Sequence, residues 1–347
     1  MNIGLKNIYS AIRNLLGSYD LHIDKDMAER MESSKLSRKA VLEAIESVVD
    51  GTEPKIRYVS TYKKLLEKSV ITSLLYIYEL VNNIPGAIDI SHKNFAIDPQ
   101  VHAYFSSTKE IEEIFNISDE LKSFFDNTEH KQAYALLCMN HVDKTVLGVE
   151  LQNNILCRDV MQTAVNFSEH KVMSPTATET ETRDGIKKCI FDGLITHALK
   201  KLIGLKSQYR ELQEQQHSLQ SRLRSRQARG GGLSKLLIST HNVDSESKDM
   251  LEQIAETEDK LNKIAPQWEL PHYYIDQVKN ILEHPEEFIR LEPVFVNINK
   301  MGIKISDESK KDGSLIRLDE LTIDNVLKRV VVIVSYPRNE MQDYSLK

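Results

Sequence analysis

The stretch Ile195–Leu223, ITHALKKLIGLKSQYRELQEQQHSLQSRL, decides how the rest of the chain is read. Ile195, Leu202, Tyr209, Gln216 and Leu223 recur every seven residues, and Ala198, Leu205, Leu212 and Leu219 recur at the complementary position. These are the a and d positions of a coiled coil, with Gln216 the one polar residue in the seam, a device that fixes register at some loss of stability. At ~1.5 Å per residue such a helix is ~43 Å long over this stretch alone, the length of an arm and not of a core element.

The surroundings agree. Pro175 and Pro266 bracket 90 residues without a proline, as long helices require. Thr178 and Glu181, in TATETET, have the spacing of a capping box that opens a helix. Downstream, SRLRSRQARGGGLSKLL (Ser221–Leu237) sets Gly230, Gly231 and Gly232 after the seam, and Leu251, Ile254 and Leu261 resume the apolar pattern. The reading is an antiparallel helical hairpin over 178–266 with its tip near 230–232. Trp268, Tyr273 and Tyr274 mark the return to the body.

Outward from the hairpin, the first 128 residues read as a helical domain. Ile3, Ile8, Ile12 and Leu15 share a face, as do Ala40, Leu42, Ile45 and Val49, and Leu65 to Tyr78 is dense enough in apolar residues for a buried helix. A further helix is expected over Lys109–Phe125. Residues 129–347 read as an α+β domain. Its 129–175 part is a β meander of three short strands, Ala133–Asn140, Thr145–Leu151 and Asn154–Phe167, turning at Val142-Asp143-Lys144 and Gln152-Asn153. Its 291–336 part carries strands Val294–Asn299, Gly302–Ser306, Ser314–Leu318 and Val330–Tyr336, of which VVVIVSY is apolar on both faces, as in a central strand. The fold class is therefore α+β, predominantly helical, with a coiled-coil hairpin inserted in an antiparallel β body.

Composition bounds the function. The chain has 347 residues, a net charge of −6 and three cysteines without regular spacing. An acidic chain is not a wholesale nucleic-acid coat, and three cysteines are no disulfide framework, so a reducing compartment is expected, the cytoplasm. The most apolar run, Ser69–Tyr78, is too short to span a bilayer, and no membrane partner is expected.

Against this background the hairpin tip stands out. Arg222, Arg224, Arg226, Arg229 and Lys235 fall between Gln215 and Val243 with no acidic residue among them, so the rest of a chain at −6 carries −11. Such a tip suits phosphates of DNA or RNA, or an acidic face on a protein partner. No aromatics interleave it, which argues against a stacking platform for single strands. It is not a phosphate loop either, because Gly230–Lys235 lacks the Gly-Lys-Ser/Thr order after a strand. A second basic stretch, Lys55, Arg57, Tyr58, Tyr62, Lys63, Lys64 and Lys68, reads mainly as the exposed side of the buried helix.

Catalytic signals are sparse. Asp143, Glu150 and Asp159 are the nearest to a set of carboxylates for metal-dependent nuclease chemistry, although Gln152 stands where a lysine would strengthen it. Cys138, His141, Cys157 and His170 invite a metal reading that their spacing does not support, and neither a metal nor another cofactor is expected. The preferred expectation is an interaction or scaffolding protein that docks a partner, or a second copy of itself, through the coiled coil and its tip. A sequence-nonspecific nucleic-acid binder and a nuclease are the alternatives.

Overall fold

Alternating apolar residues in the middle and final thirds of the chain pair into one sheet, and the 3.6-residue periods on either side fold as helices. The computed structural model describes residues 25–34, 36–152, 155–230, 241–268, 270–305 and 313–341. The helix expected around Ile3–Leu15 and the glycines Gly231 and Gly232 lie outside the described residues. The elements run α1 (Lys25–Ser33), α2 (Arg38–Gly51), a 3-10 turn Pro54–Tyr58, α3 (Tyr62–Asn82), β1 (Ile88–Asp89), α4 (His92–Phe95), α5 (Pro99–Tyr104), α6 (Thr108–Ile117) and α7 (Asp119–Asn127). They continue with β2 (Gln132–Gln152), β3 (Ile155–Thr176), α8 (Glu179–Gly230), α9 (His241–Trp268), α10 (Pro271–Glu283), α11 (Pro285–Phe288), β4 (Ile289–Ile298), β5 (Ser314–Ile323) and β6 (Leu327–Pro337). The class is α+β.

Residue contacts group the chain into two units, each built from two stretches. One comprises residues up to Ser73 with Gly193–Glu283, the other Leu74–Asp192 with His284–Lys347. The expected boundary at 128/129 falls inside the second, between α7 and β2.

In the first unit, Ser37 caps α2, whose Val41, Ala44, Ile45, Val48 and Val49 are buried. Tyr274, Ile275, Val278, Ile281 and Leu282 form the buried stripe of α10. Two small polar residues of α3 are buried without loss: Ser73 donates to Leu282 O (2.5 Å) and Ser69 to Glu283 Oε1 (2.9 Å). At the end of α2, Gly51 has no room for a side chain, because Ile195 of α8 occupies the space.

The second unit is organised by its six-stranded sheet, of order β3-β2-β6-β5-β4 with β1 added in parallel along Val334 and Ser335 of β6. The two strand regions that the sequence separates are thus one sheet. It is strongly curled. Three times, two residues of β3 face one of β2, and each of these bulges holds a non-glycine residue at positive φ: Ser174, Glu169 and Asp159. Bulges of this kind bend and twist the strand that carries them. As a result α5 touches both β3 and β5, which are not neighbours in the sheet: His170 Nε2 lies 2.8 Å from Tyr104 O, and Gln100 Nε2 donates to Arg317 O at 2.7 Å. The segment after β4 then reaches β3, with Val165 N donating to Gly302 O and Lys304 N to Thr163 O, both at 2.8 Å. Tyr104, Phe105, Phe115, Leu137, Leu318, Val332 and Tyr336 lie in the core enclosed between this sheet and α5–α7.

Two expectations need correcting. The meander is a single long hairpin: Val142-Asp143-Lys144 is no turn but part of β2, facing Asn166, Val165 and Ala164. Local turn propensity loses there to a continuous ladder and to Lys304, whose Nζ holds Asp143 Oδ2 at 2.6 Å. The helix over Lys109–Phe125 is broken at Ser118, which leaves the helical conformation (ψ 108°) and caps α7 by accepting from Leu121 N. The capping box at Thr178 is present, with Glu181 N donating to Thr178 Oγ1 (3.3 Å) and Ala177 N to Glu181 Oε2 (3.2 Å).

One ion-pair network joins α8 to the end of α3. Arg183 donates to Val81 O (2.7 Å), Pro85 O (2.8 Å) and Ile84 O (3.0 Å), while its Nε holds Glu179. One carbonyl of the last turn of α3, Val81, and two of the loop that follows it are thereby satisfied by one charge. Arg183→Met should cost roughly 3 kcal/mol in urea unfolding; a loss below about 1 kcal/mol would mean that water replaces the guanidinium at those carbonyls.

Candidate interaction site

α8 is 52 residues long, and its exposure follows the heptad. Leu202 is buried, Leu205, Tyr209, Leu212, Gln216, Leu219 and Leu223 are half-buried, and nearly every other residue from Lys200 to Ser225 is exposed. Ile195 and Ala198 are buried near the start of this stretch, Ile195 against Gly51. On α9 the covered residues are Met250, Ile254, Thr257 and Leu261, at steps of four, three and four. Leu251, which the sequence put with Ile254 and Leu261, is instead exposed. Gln216 Nε2 donates to Glu258 Oε1 at 3.0 Å, so the polar seam residue is paired with α9.

Of the cations expected at the tip, Arg222 and Arg224 are exposed towards the end of α8. Arg226 and Arg229 are helical, with side chains outside the described set, and Lys235 lies outside the described residues.

The remaining candidates do not gather. Asp143 and Glu150 both lie on β2, seven residues and so ~23 Å apart along an extended strand. Asp159 occupies the positive-φ bulge of β3. Cys138 and His141, three apart on β2, project to opposite faces. Burial pushes the Cys138 thiol up to about 11, away from thiolate chemistry. His170 is committed to Tyr104 O. Among the described residues no group of three or more His, Cys, Asp or Glu could hold a metal ion, and no helix is long and apolar enough to cross a membrane.

Asp143 nevertheless has partners that the sequence did not indicate. His141 stacks on Phe167 and lies between two carboxylates, with Nδ1 3.1 Å from Glu320 Oε1 and Nε2 3.2 Å from Asp143 Oδ1. Burial raises the Asp143 carboxyl, but the Lys304 ammonium and His141 outweigh it and leave the carboxyl below its ordinary value. The two carboxylates sit at opposite ring nitrogens and so cannot converge on one ion. Glu320 and Lys304 are well over a hundred residues from His141 and Asp143, and no local motif announces them.

Three residues of the second basic stretch gather on one acid. Glu46 accepts from Arg57 (2.8 Å), Tyr62 (2.6 Å) and Lys63 (2.8 Å), and Arg57 also pairs with Asp50. These donors, Lys63 foremost, lower the Glu46 carboxyl to about 2.

Comparisons with protein-family models, curated proteins and solved structures give no match.

Two predictions follow from these contacts. Because the folded Glu46 carboxyl titrates below its unfolded value, its contribution is complete above pH ~4.5 and is lost as pH falls towards about 2. Glu46→Gln should therefore lower stability at neutral pH by about 1 kcal/mol after solvent screening, and the gap to wild type should close in acid. A gap independent of pH would locate the effect elsewhere. For the helix pair, Gln216→Leu should raise the melting temperature followed by circular dichroism, worth about 1 kcal/mol; a lower melting temperature would make the Gln216–Glu258 bond the stronger term.

Proposed function

We propose that this chain is an interaction protein of the cytoplasm, acting through a coiled-coil hairpin in which α9 folds back along α8 and presents the arginine-bearing end to a protein partner or a second copy. The observation that carries this reading is the matched covering of the two helices: heptad positions on α8, and four-three-four steps on α9, with Gln216 bonded to Glu258. An exposed helix with a periodic covered stripe is what a two-helix seam produces. In domain terms the hairpin is an insertion in an α+β body spanning 129–347.

The same register bears on the partner. With Gln216 beside Glu258, equal rise along antiparallel helices sets Glu252 level with Arg222. Asp244, Glu246, Asp249 and Glu252 of α9 then run along the stretch that carries Arg222, Arg224, Arg226 and Arg229. An end with both signs of charge favours a protein surface over a polyanion, whose binding rewards unopposed cations. The nucleic-acid reading keeps one observation in its favour, the exposure of Arg222 and Arg224. Among the described residues no group of three or more His, Cys, Asp or Glu gathers around Asp143 or Asp159 to favour metal-dependent cleavage with Glu150.

A photo-crosslinking residue at the exposed Ser225 of the full chain, used in living cells, tests the proposal. A discrete protein adduct is expected, and it should vanish when Arg222, Arg224, Arg226 and Arg229 are changed to Gln. Absence of an adduct, together with duplex DNA binding that weakens by a slope of about −0.9 per neutralised phosphate in a salt series, would replace it with the nucleic-acid reading.

A further inference from the structure

β2 has two neighbours along only part of its length. Gln132–Met139 pair with β6, but among the described residues Asn140–Gln152 pair with β3 alone. Gly302–Lys304 joins the outer edge of β3 at Thr163–Val165, and past Thr145 β2 and β3 run on as a two-stranded ribbon, an arrangement only marginally stable by itself in water. Its two edges differ. The register slips all place the extra residue on β3, so β3 is bulged and β2 is regular. Bulges, charges and prolines are the usual protection of an edge against pairing with another chain. From Thr145 to Val149 the β2 edge has none of them. Thr145, Leu147 and Val149 are exposed there, Leu147 to 69% and, directly across the ribbon, Met161 to 77%.

We propose that two copies of this chain pair through the free edge of β2, antiparallel about Leu147, so that two ribbons become one four-stranded sheet. The occupant follows from the spacing of charge. Lys144 and Glu150 stand three residues either side of Leu147. A two-fold axis at Leu147 sets Lys144 opposite Glu150 of the second copy, and symmetry repeats the match. Thr145 then faces Val149, and Leu147 faces its own copy. An axis one residue away, at Val146, sets Lys144 against Gly148 and Glu150 against Val142, which leaves both charges unmatched. Opposite charges facing each other across an antiparallel pair stabilise it, and like charges oppose it. The edge is thus complementary to itself in one register. This pairing rests on the ribbon and is independent of α8 and α9.

Sedimentation velocity of the full chain over a concentration series tests it, with Lys144→Glu, Glu150→Lys and the double reversal beside wild type. Wild type should dimerise, each single reversal should weaken the dimer roughly tenfold or more, and the double reversal should restore it. Restoration also excludes misfolding as the cause of the single effects. Leu147→Cys supplies a second readout. Residues facing each other at the axis are ~4.5–5.5 Å apart in Cα, within disulfide reach, so this variant should oxidise to a covalent dimer. A wild-type monomer throughout, a dimer indifferent to both reversals, or a double variant as weak as the singles would each overturn the proposal.

Discussion

Eight residues of pairing, Gln132–Met139 against Val330–Pro337, hold the second unit together. They join a hairpin from the middle of the chain to strands about two hundred residues later, and β6 becomes the central strand that VVVIVSY suggests. Val330, Val331, Val332, Ile333 and Val334 are all buried, so both faces of β6 are covered. Without that join, α5–α7 would lack the curled surface on which Tyr104, Phe105 and Phe115 pack.

Curvature is what makes the surface fit. Three bulges on β3 bring the sheet round far enough for α5 to bond His170 on one side and the Arg317 carbonyl on the other. The bulges fall on Asp159, Glu169 and Ser174, residues that accept a left-handed backbone at some energetic cost. No glycine marks them. That is one reason why the sequence suggests several short strands where the chain forms two long ones: the usual punctuation is missing from the bulges, while Val142-Asp143-Lys144 looks like a turn and is held straight by pairing.

The helices were more legible. A heptad is a statement about which side of a helix is covered, and from Leu202 to Leu223 the covered residues are the ones it names, with Gln220 beside them. The capping box at Thr178 was equally local, and equally readable. What could not be read depends on distance along the chain. Glu46 gathers Arg57, Tyr62 and Lys63, and His141 meets Glu320, through folding and not through spacing. The candidate site divides in the same way. The arginines are visible as a run, but the bond from Gln216 to Glu258, 42 residues later, is not announced by any local motif.

The position of β6 also has a meaning in time. Roughly 190 residues are synthesised between Met139 and its partner Val330, which at 5–20 residues per second takes roughly 10–40 s. Once β3 has been made, β2 still awaits the partner of Gln132–Met139, so over that interval a nascent chain lacks the β6 pairing that the finished protein has. Long-range strand pairing is slow for the same entropic reason. Translation speed across α8–α10 therefore sets how long neighbouring nascent chains on one messenger can meet edge to edge before β6 arrives to compete for Gln132–Met139.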